Sequence, residues 1–88
     1  MIAFELYLNG KKVATAGVER GVMSVIANWV RLKQDGVSWN SSVSIAGLDD
    51  KTSEHLKWFR QDLVLGDEVR IRLVESERID LPAEREPK

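Results

Sequence analysis

The sequence of 88 residues contains no cysteine. This absence excludes a disulfide scaffold, a zinc or iron–sulfur site built on thiolates, and a cysteine nucleophile. Long hydrophobic runs are also missing, because no segment approaches the ~20 consecutive apolar residues that a membrane-spanning helix needs. Neither sign of charge is in excess, since the sequence has 13 lysines and arginines and 14 acids, for a formal net charge of -1. This balance disfavours general nucleic-acid binding.

Targeting and cofactor patterns are missing too. Residues 1–5 include an acid and lack the basic start of a secretory signal. Together with the missing membrane span, this leads us to expect a cytoplasmic protein without a membrane partner. No spacing of histidines, acids or glycines predicts a metal or an organic cofactor, so we expect neither.

The strongest local pattern lies in the first 18 residues. Apolar side chains alternate over 2–8, as in a half-buried strand, and Asn9-Gly10 follows directly. Both turn residues tolerate the positive φ angles that tight hairpins require, so we predict a hairpin whose second strand covers 11–18. A two-residue loop would place Leu6 opposite Val13, whereas a bulge would shift this register by one residue.

Two segments have the spacing of amphipathic helices. Residues 22–34 place their apolar side chains on about half of the helical wheel, with Trp29 in the middle of the apolar face. We therefore predict a long helix with Trp29 in the core. A shorter helix is predicted over 53–61, where the adjacent Trp58 and Phe59 cannot both point inward. One of this pair is therefore expected to be exposed.

The remaining segments are predicted to form strands, a turn and a tail. We predict strands over 37–46 and 69–74, and a short edge strand over 63–65 that leads into a turn at Gly66-Asp67. From Glu75 onward the sequence is charged and contains both prolines. The predicted organisation is one domain over 1–74, followed by a charged, mobile C-terminal tail over 75–88.

This order of elements is similar to that of the ubiquitin-like β-grasp fold. The resemblance implies an α+β domain of ββαβ order, with a short helix and a final strand, in which one long helix covers one face of a mixed sheet. It also implies that the first and final strands pair in parallel at the sheet centre. Another α+β sheet, ferredoxin-like or a small barrel with a helix, is the alternative. The resemblance is carried by the strand 2–8, the helix around Ile26 and Trp29, the strand 42–47 and the strand 68–74.

The same resemblance narrows the function. Conjugated ubiquitin-like proteins and the related sulfur carriers expose a C-terminal Gly-Gly, whereas this sequence contains no Gly-Gly and ends Glu86-Pro87-Lys88. The β-grasp ferredoxins need cysteines. The resemblance therefore implies binding without conjugation activity, as in a non-enzymatic adaptor, inhibitor or immunity-type protein.

The expected partner is another protein. Exposed aromatic residues often mark interaction surfaces, and an exposed edge strand or aromatic pair would also support a homodimer. A basic strip of Lys11, Lys12, Arg70 and Arg72 is predicted on one sheet face, with its two strands about 10 Å apart. The candidate partner-binding residues are Trp58, Phe59, Trp39, Arg70, Arg72 and Tyr7.

Two other functions remain as alternatives. His55 is the only histidine, and Asp49, Asp50 or Glu54 could orient it as the general base of a small-ligand or metal-assisted enzyme. Asp50 more simply caps the predicted helix, and the acids lack the spacing of a calcium loop. The basic strip could instead bind nucleic acid weakly, although Tyr7 is the only aromatic residue there on which a base could stack.

Overall fold

A computed structural model describes residues 1–31 and 40–87 of the chain. Within these ranges there is no helix, and so none that could cross a membrane. The described residues form the strands β1 (Ile2–Leu8), β2 (Lys11–Ala16), β3 (Gly21–Val30), β4 (Asn40–Asp49), β5 (Glu54–Asp62), β6 (Val69–Glu75) and β7 (Glu84–Pro87).

The strands form two antiparallel sheets. Sheet A has the order β2-β1-β6, and sheet B has the order β3-β4-β5-β7. The predicted α+β class, with a long helix on a mixed β-grasp sheet, is therefore wrong. β1 does lie between β2 and β6, as that arrangement requires, but β1 and β6 pair antiparallel rather than parallel.

The hairpin predicted at Asn9-Gly10 is confirmed. The two residues have φ angles of 52° and 82° and form a two-residue loop, because the residues on either side of them pair directly. A bulge farther along β2 then leaves Val13 without a partner and places Leu6 opposite Ala14. The two alternatives, a two-residue loop and a bulge that shifts the register by one residue, therefore both occur.

The segment predicted as a long helix forms β3 instead, which pairs with β4 along its whole length. Its many β-branched residues lose side-chain freedom in a helix and pack well on a pleated sheet. Met23 and Val25 pack against the core, whereas Trp29 is 71% exposed. The prediction of a core position for Trp29 is therefore wrong. Positions 32–34 of that helix lie outside the described residues.

β4 confirms the strand predicted over 37–46 from Asn40 onward, while 37–39 lie outside the described residues. The strand continues beyond its predicted end at residue 46 as far as Asp49. Val43 and Ile45 lie on the same face of this strand, and both are fully buried.

The short helix predicted over 53–61 is wrong as well, because this segment forms β5. Leu56 and Trp58 are buried while their neighbours are more exposed, which is the period of a strand. A register shift in the pairing with β4 leaves Trp58 as a bulge. Phe59 packs against the core beside it, so the bulge resolves the conflict between these two adjacent aromatic residues.

Two later segments also differ from their predicted form. Residues 63–65 form no edge strand, and the turn has Leu65 and Gly66 at its centre, one residue before the predicted Gly66-Asp67. Gly66 has a φ of 95°, and the Asp67 N–H donates to the Val64 carbonyl over 3.1 Å. The C-terminal segment 75–88 contains β7, which pairs with β5.

The core lies between the sheets, whose main contact is that of β2 with β5. The segment between β6 and β7 crosses from one sheet to the other, and Asp80 anchors it. Asp80 exchanges hydrogen bonds with the backbone of Thr15, and its carbonyl accepts from the indole of Trp58. The buried apolar cluster consists of Leu6, Ala14, Ala16, Val43, Ile45, Leu56 and Trp58.

Candidate protein-interaction interface

β3 forms one edge of sheet B, with β4 as its only neighbour among the described strands. It is ten residues long, reads GVMSVIANWV, and contains no charged residue and no proline. Three of its large apolar side chains, Val22, Ile26 and Trp29, are 58%, 54% and 71% exposed. A long, uncharged and apolar strand edge is a template to which another strand can add.

The other edges of the two sheets carry features that oppose strand addition. β6 contains Arg70 and Arg72 within seven residues. β7 has only four residues, two of them acids, and includes Pro87. β2 begins with two lysines, and Asp80 occupies the backbone groups of Thr15 on its free side. Of the four edges that the described strands form, β3 alone lacks such protection.

The hydrogen-bond pattern identifies the free backbone groups of β3. The Arg20 carbonyl accepts from the Asp50 N–H over 2.9 Å, just before the β3–β4 ladder begins. Hydrogen-bonded pairs alternate along an antiparallel ladder. The backbone N–H and carbonyl groups of the even-numbered residues of β3 therefore point toward β4, and those of the odd-numbered residues point away from it. The N–H and carbonyl groups on the free edge therefore belong to Gly21, Met23, Val25, Ala27 and Trp29.

A cleft of about 560 Å³ opens beside the C-terminal half of β3. Ala27 and Trp29 line it on the strand side, and the loop 63–67 lines it opposite. Val64 and Leu65 in this loop are 69% and 86% exposed. Apolar surface therefore continues from the strand edge into the cleft. We call this combined region the β3 surface: the free edge of β3 with the exposed side chains of Val22, Ile26, Trp29, Val64 and Leu65.

Hydrogen bonds fix the loop that forms the far wall of the cleft. The Asp67 carboxylate accepts from the Val64 N–H over 2.8 Å and from the Asn9 side-chain amide over 3.0 Å. The Asn9 side-chain oxygen accepts in turn from the Glu68 N–H over 2.8 Å. The tight turn of the first hairpin therefore holds the loop in place.

The same contacts affect the charge of the loop. The hydrogen bond from Asn9, and next that from the Val64 N–H, lower the pKa of Asp67, because both favour the ionised carboxylate. At the start of the loop, Ser41 and Leu63 exchange two hydrogen bonds of 2.9 Å each. The loop is thus tied at both ends, and the cleft has a preformed wall.

Three of the predicted binding residues meet on the outer face of sheet A. The Arg70 guanidinium lies over the Tyr7 ring, 4.5 Å from its centroid, and Arg72 lies opposite Glu5. The Glu5 carboxylate is 3.5 Å from both Arg72 and Lys12, and it accepts from the Tyr7 hydroxyl. The predicted basic strip therefore has an acid at its centre, which offsets part of its positive charge.

The predicted aromatic candidates have different surroundings. Trp58 is 7% exposed, and its indole N–H donates to the Asp80 carbonyl over 2.8 Å, as is typical of a core residue. Phe59 is partly buried against the core. Trp39 lies outside the described residues.

The residues of the alternative enzymatic site lie at one end of sheet B. His55 is exposed and pairs with Leu48 across β4 and β5. The Asp49 carboxylate accepts from the backbone of the following turn, and Asp50 forms an ion pair with Arg20 over 3.0 Å. Within 1–31 and 40–87, no three acidic or histidine side chains come close enough together to hold a metal ion.

Sequence reasoning missed the exposed residues of the β3 surface, Trp29 above all. One signal was available, because an amphipathic surface helix normally carries charges on its polar face. Residues 21–30 have none, and their polar positions are only Ser24 and Asn28. An uncharged run of this length fits a strand better than a surface helix.

No family model, curated protein or solved structure matches this chain. No relative therefore bears on the predicted ubiquitin-like resemblance, and the candidate interface stands on the geometry of the β3 surface.

Proposed function

We propose that the protein is a non-enzymatic interaction module, of adaptor, inhibitor or immunity type, which binds another protein chain by strand addition at the β3 surface. The free edge of β3 carries this proposal, since its ten residues include neither a charge nor a proline. In strand addition, main-chain hydrogen bonds supply affinity and pockets for alternate side chains supply specificity. The cleft beside Trp29 and Leu65 would be such a pocket.

The energetics of the edge favour this role. A partner strand that adds to β3 does not have to desolvate a charge, whereas addition to β6 would bring it beside Arg70 and Arg72. Trp29 offers the largest apolar side chain on the strand and is 71% exposed. Fully burying a large apolar side chain contributes about 1.5–3 kcal/mol.

A pair of proline variants tests the proposal. Ala27→Pro removes an N–H from the free edge of β3 and leaves the β3–β4 ladder intact. Leu73→Pro is the matched control on β6. The N–H groups of the odd-numbered residues of β6 also point away from its neighbour, β1. Affinity purification with mass spectrometry should recover partner chains with the wild type and with Leu73→Pro, but not with Ala27→Pro. Equal recovery with all three baits would contradict the proposal.

The outer face of sheet A is a weaker candidate. Its arginines would suit a phosphate backbone, but Glu5 lies 3.5 Å from Arg72 and competes for it. Binding of single-stranded oligonucleotides that persists at moderate salt would favour this alternative, because weak non-specific contacts are lost there.

A further inference from the structure

We infer that the chain that adds to β3 is a second copy of this protein, through antiparallel pairing of the two β3 strands about a two-fold axis perpendicular to the sheet. The inference rests on the proposed function, because it names the partner of the same edge. Each four-stranded sheet B would then continue into that of the other copy, and β3 would no longer be an edge.

The positions of the free backbone groups suit this symmetry. A two-fold axis perpendicular to the sheet keeps the core faces of both copies on the same side, so residues opposite each other must both be odd or both be even. All the free groups of β3 belong to odd-numbered residues, so the hydrogen-bonded pairs of such a dimer would join odd-numbered residues. With the axis at Val25, Met23 of each copy lies opposite Ala27 of the other. With the axis at Ile26, Met23 lies opposite Trp29.

The charges at the ends of the strand are complementary. Beside the N-terminal end of β3 lie Glu19, Arg20 and residues 49–51, whose three acids and two bases leave a net charge of -1 after Asp50 pairs with Arg20 and Glu19 pairs with Lys51. Arg31 follows the C-terminal end. Antiparallel pairing brings the acidic end of each copy beside Arg31 of the other, whereas parallel pairing would bring like ends together.

Self-pairing also avoids the features that protect the other edges. In both registers, uncharged residues of one β3 meet uncharged residues of the other, and no like charges face each other along the paired residues. In either register nine residues of each β3 are paired, over about 30 Å. This contact is smaller than that of an obligate dimer, so we expect a dimer that dissociates on dilution.

Single cysteines test the contact directly, because the chain has none of its own. Ile26→Cys and Val25→Cys place a thiol at the two candidate axis positions, where paired Cα atoms would be about 4.5–5.5 Å apart, within disulfide range. Ile71→Cys on β6 is the matched control, because Ile71 is 45% exposed and Ile26 is 54% exposed.

Oxidised glutathione accepts the two electrons and two protons released when two thiols join. We expect a disulfide-linked dimer from Ile26→Cys or Val25→Cys on a non-reducing gel, and only the glutathione adduct from Ile71→Cys. Equal cross-linking at Ile71 would overturn the inference.

Sedimentation over a wide concentration range gives an independent measurement. Wild type and Leu73→Lys should dimerise as concentration rises, whereas Ala27→Lys should raise the dissociation constant at least tenfold, because lysine on an edge opposes pairing. Circular dichroism and thermal unfolding establish that both variants are folded. A wild type that stays monomeric up to millimolar concentration overturns the inference. So does a dimer that persists in Ala27→Lys.

The outcomes also separate the inference from the proposed function. If the wild type is monomeric but a different protein is recovered by affinity purification and lost with Ala27→Pro, self-pairing is wrong and strand addition stands. If the edge variants change neither measurement, both fail.

Discussion

The indole N–H of Trp58 donates a hydrogen bond to the backbone carbonyl of Asp80, 2.8 Å away. This contact joins the bulge of β5 to the segment that crosses between the two sheets. Asp80 also occupies the backbone of Thr15 on the free side of β2, so one short segment both supports the core and covers a strand edge. The contribution of this contact to the free energy of unfolding can be measured separately from the binding role of the β3 surface.

Trp58→Phe keeps most of the buried ring but leaves the Asp80 carbonyl without its donor. We expect the free energy of unfolding to fall by about 1–3 kcal/mol, because a buried polar group loses its partner. Urea denaturation measures the change. Trp29→Phe is the matched control and should change the unfolding free energy by less than ~0.5 kcal/mol, since Trp29 is 71% exposed. A larger effect at Trp29 than at Trp58 would contradict the structure.

Asp67 should make stability depend on pH. Its pKa is lowered in the folded state by the hydrogen bonds from Asn9 and Val64, so the unfolded state binds a proton more readily. The resulting stability is present above the unfolded pKa and is lost as pH falls through the folded pKa. Unfolding free energies of wild type and Asp67→Asn should therefore differ most near pH 7 and converge below about pH 4. A difference that is constant with pH would show that ionisation is not its cause.

Glu5 should control the charge of the outer face of sheet A. Glu5→Gln removes the carboxylate that lies 3.5 Å from Lys12 and Arg72, so both cations become available to an anion. We expect the variant to elute from a heparin column at higher salt than the wild type. Glu77→Gln changes the net charge equally at an exposed position elsewhere and serves as the control. Equal elution of the two variants would mean that only net charge matters.

Gly21 should be sensitive to any side chain. Its φ of 148° is a conformation that glycine favours, and a Cβ atom there would collide with the Leu48 carbonyl at the start of the β3–β4 pairing. Gly10 also has a positive φ, but a Cβ atom there meets open space. Thermal unfolding should therefore show a larger loss of stability for Gly21→Ala than for Gly10→Ala. The reverse order would contradict the pairing of β3 at this end.

Some parts of the fold follow from local chemistry. Asn9-Gly10 favours a two-residue hairpin loop whatever surrounds it, because few other residue pairs adopt two positive φ angles at low cost. The common face of Val43 and Ile45 also follows from the sequence, since alternation along the predicted strand places both on one side, and both are fully buried. The sequence allows both a plain register and a bulge, and only the pairing of β1 with β2 shows that Val13 is bulged.

The two predicted helices failed for different reasons. In β3, apolar residues occupy both faces, so their spacing fits a helix as well as a strand, and ten residues of pairing with β4 decide between the two. In β5, the adjacent Trp58 and Phe59 disturb the alternation until a bulge turns both toward the core. Neither the pairing nor the bulge is encoded within the segment itself.

The candidate interface shows the same division. The sequence by itself determined that residues 21–30 carry no charge and no proline, that the chain has no cysteine, and that Asn9-Gly10 reverses its direction. Only the tertiary structure decided that β3 is an edge, that Trp29 is exposed and that Trp58 is buried. The physical reason is that an edge is defined by the neighbour that a strand lacks. Which strands become neighbours is settled by contacts between residues far apart in the chain.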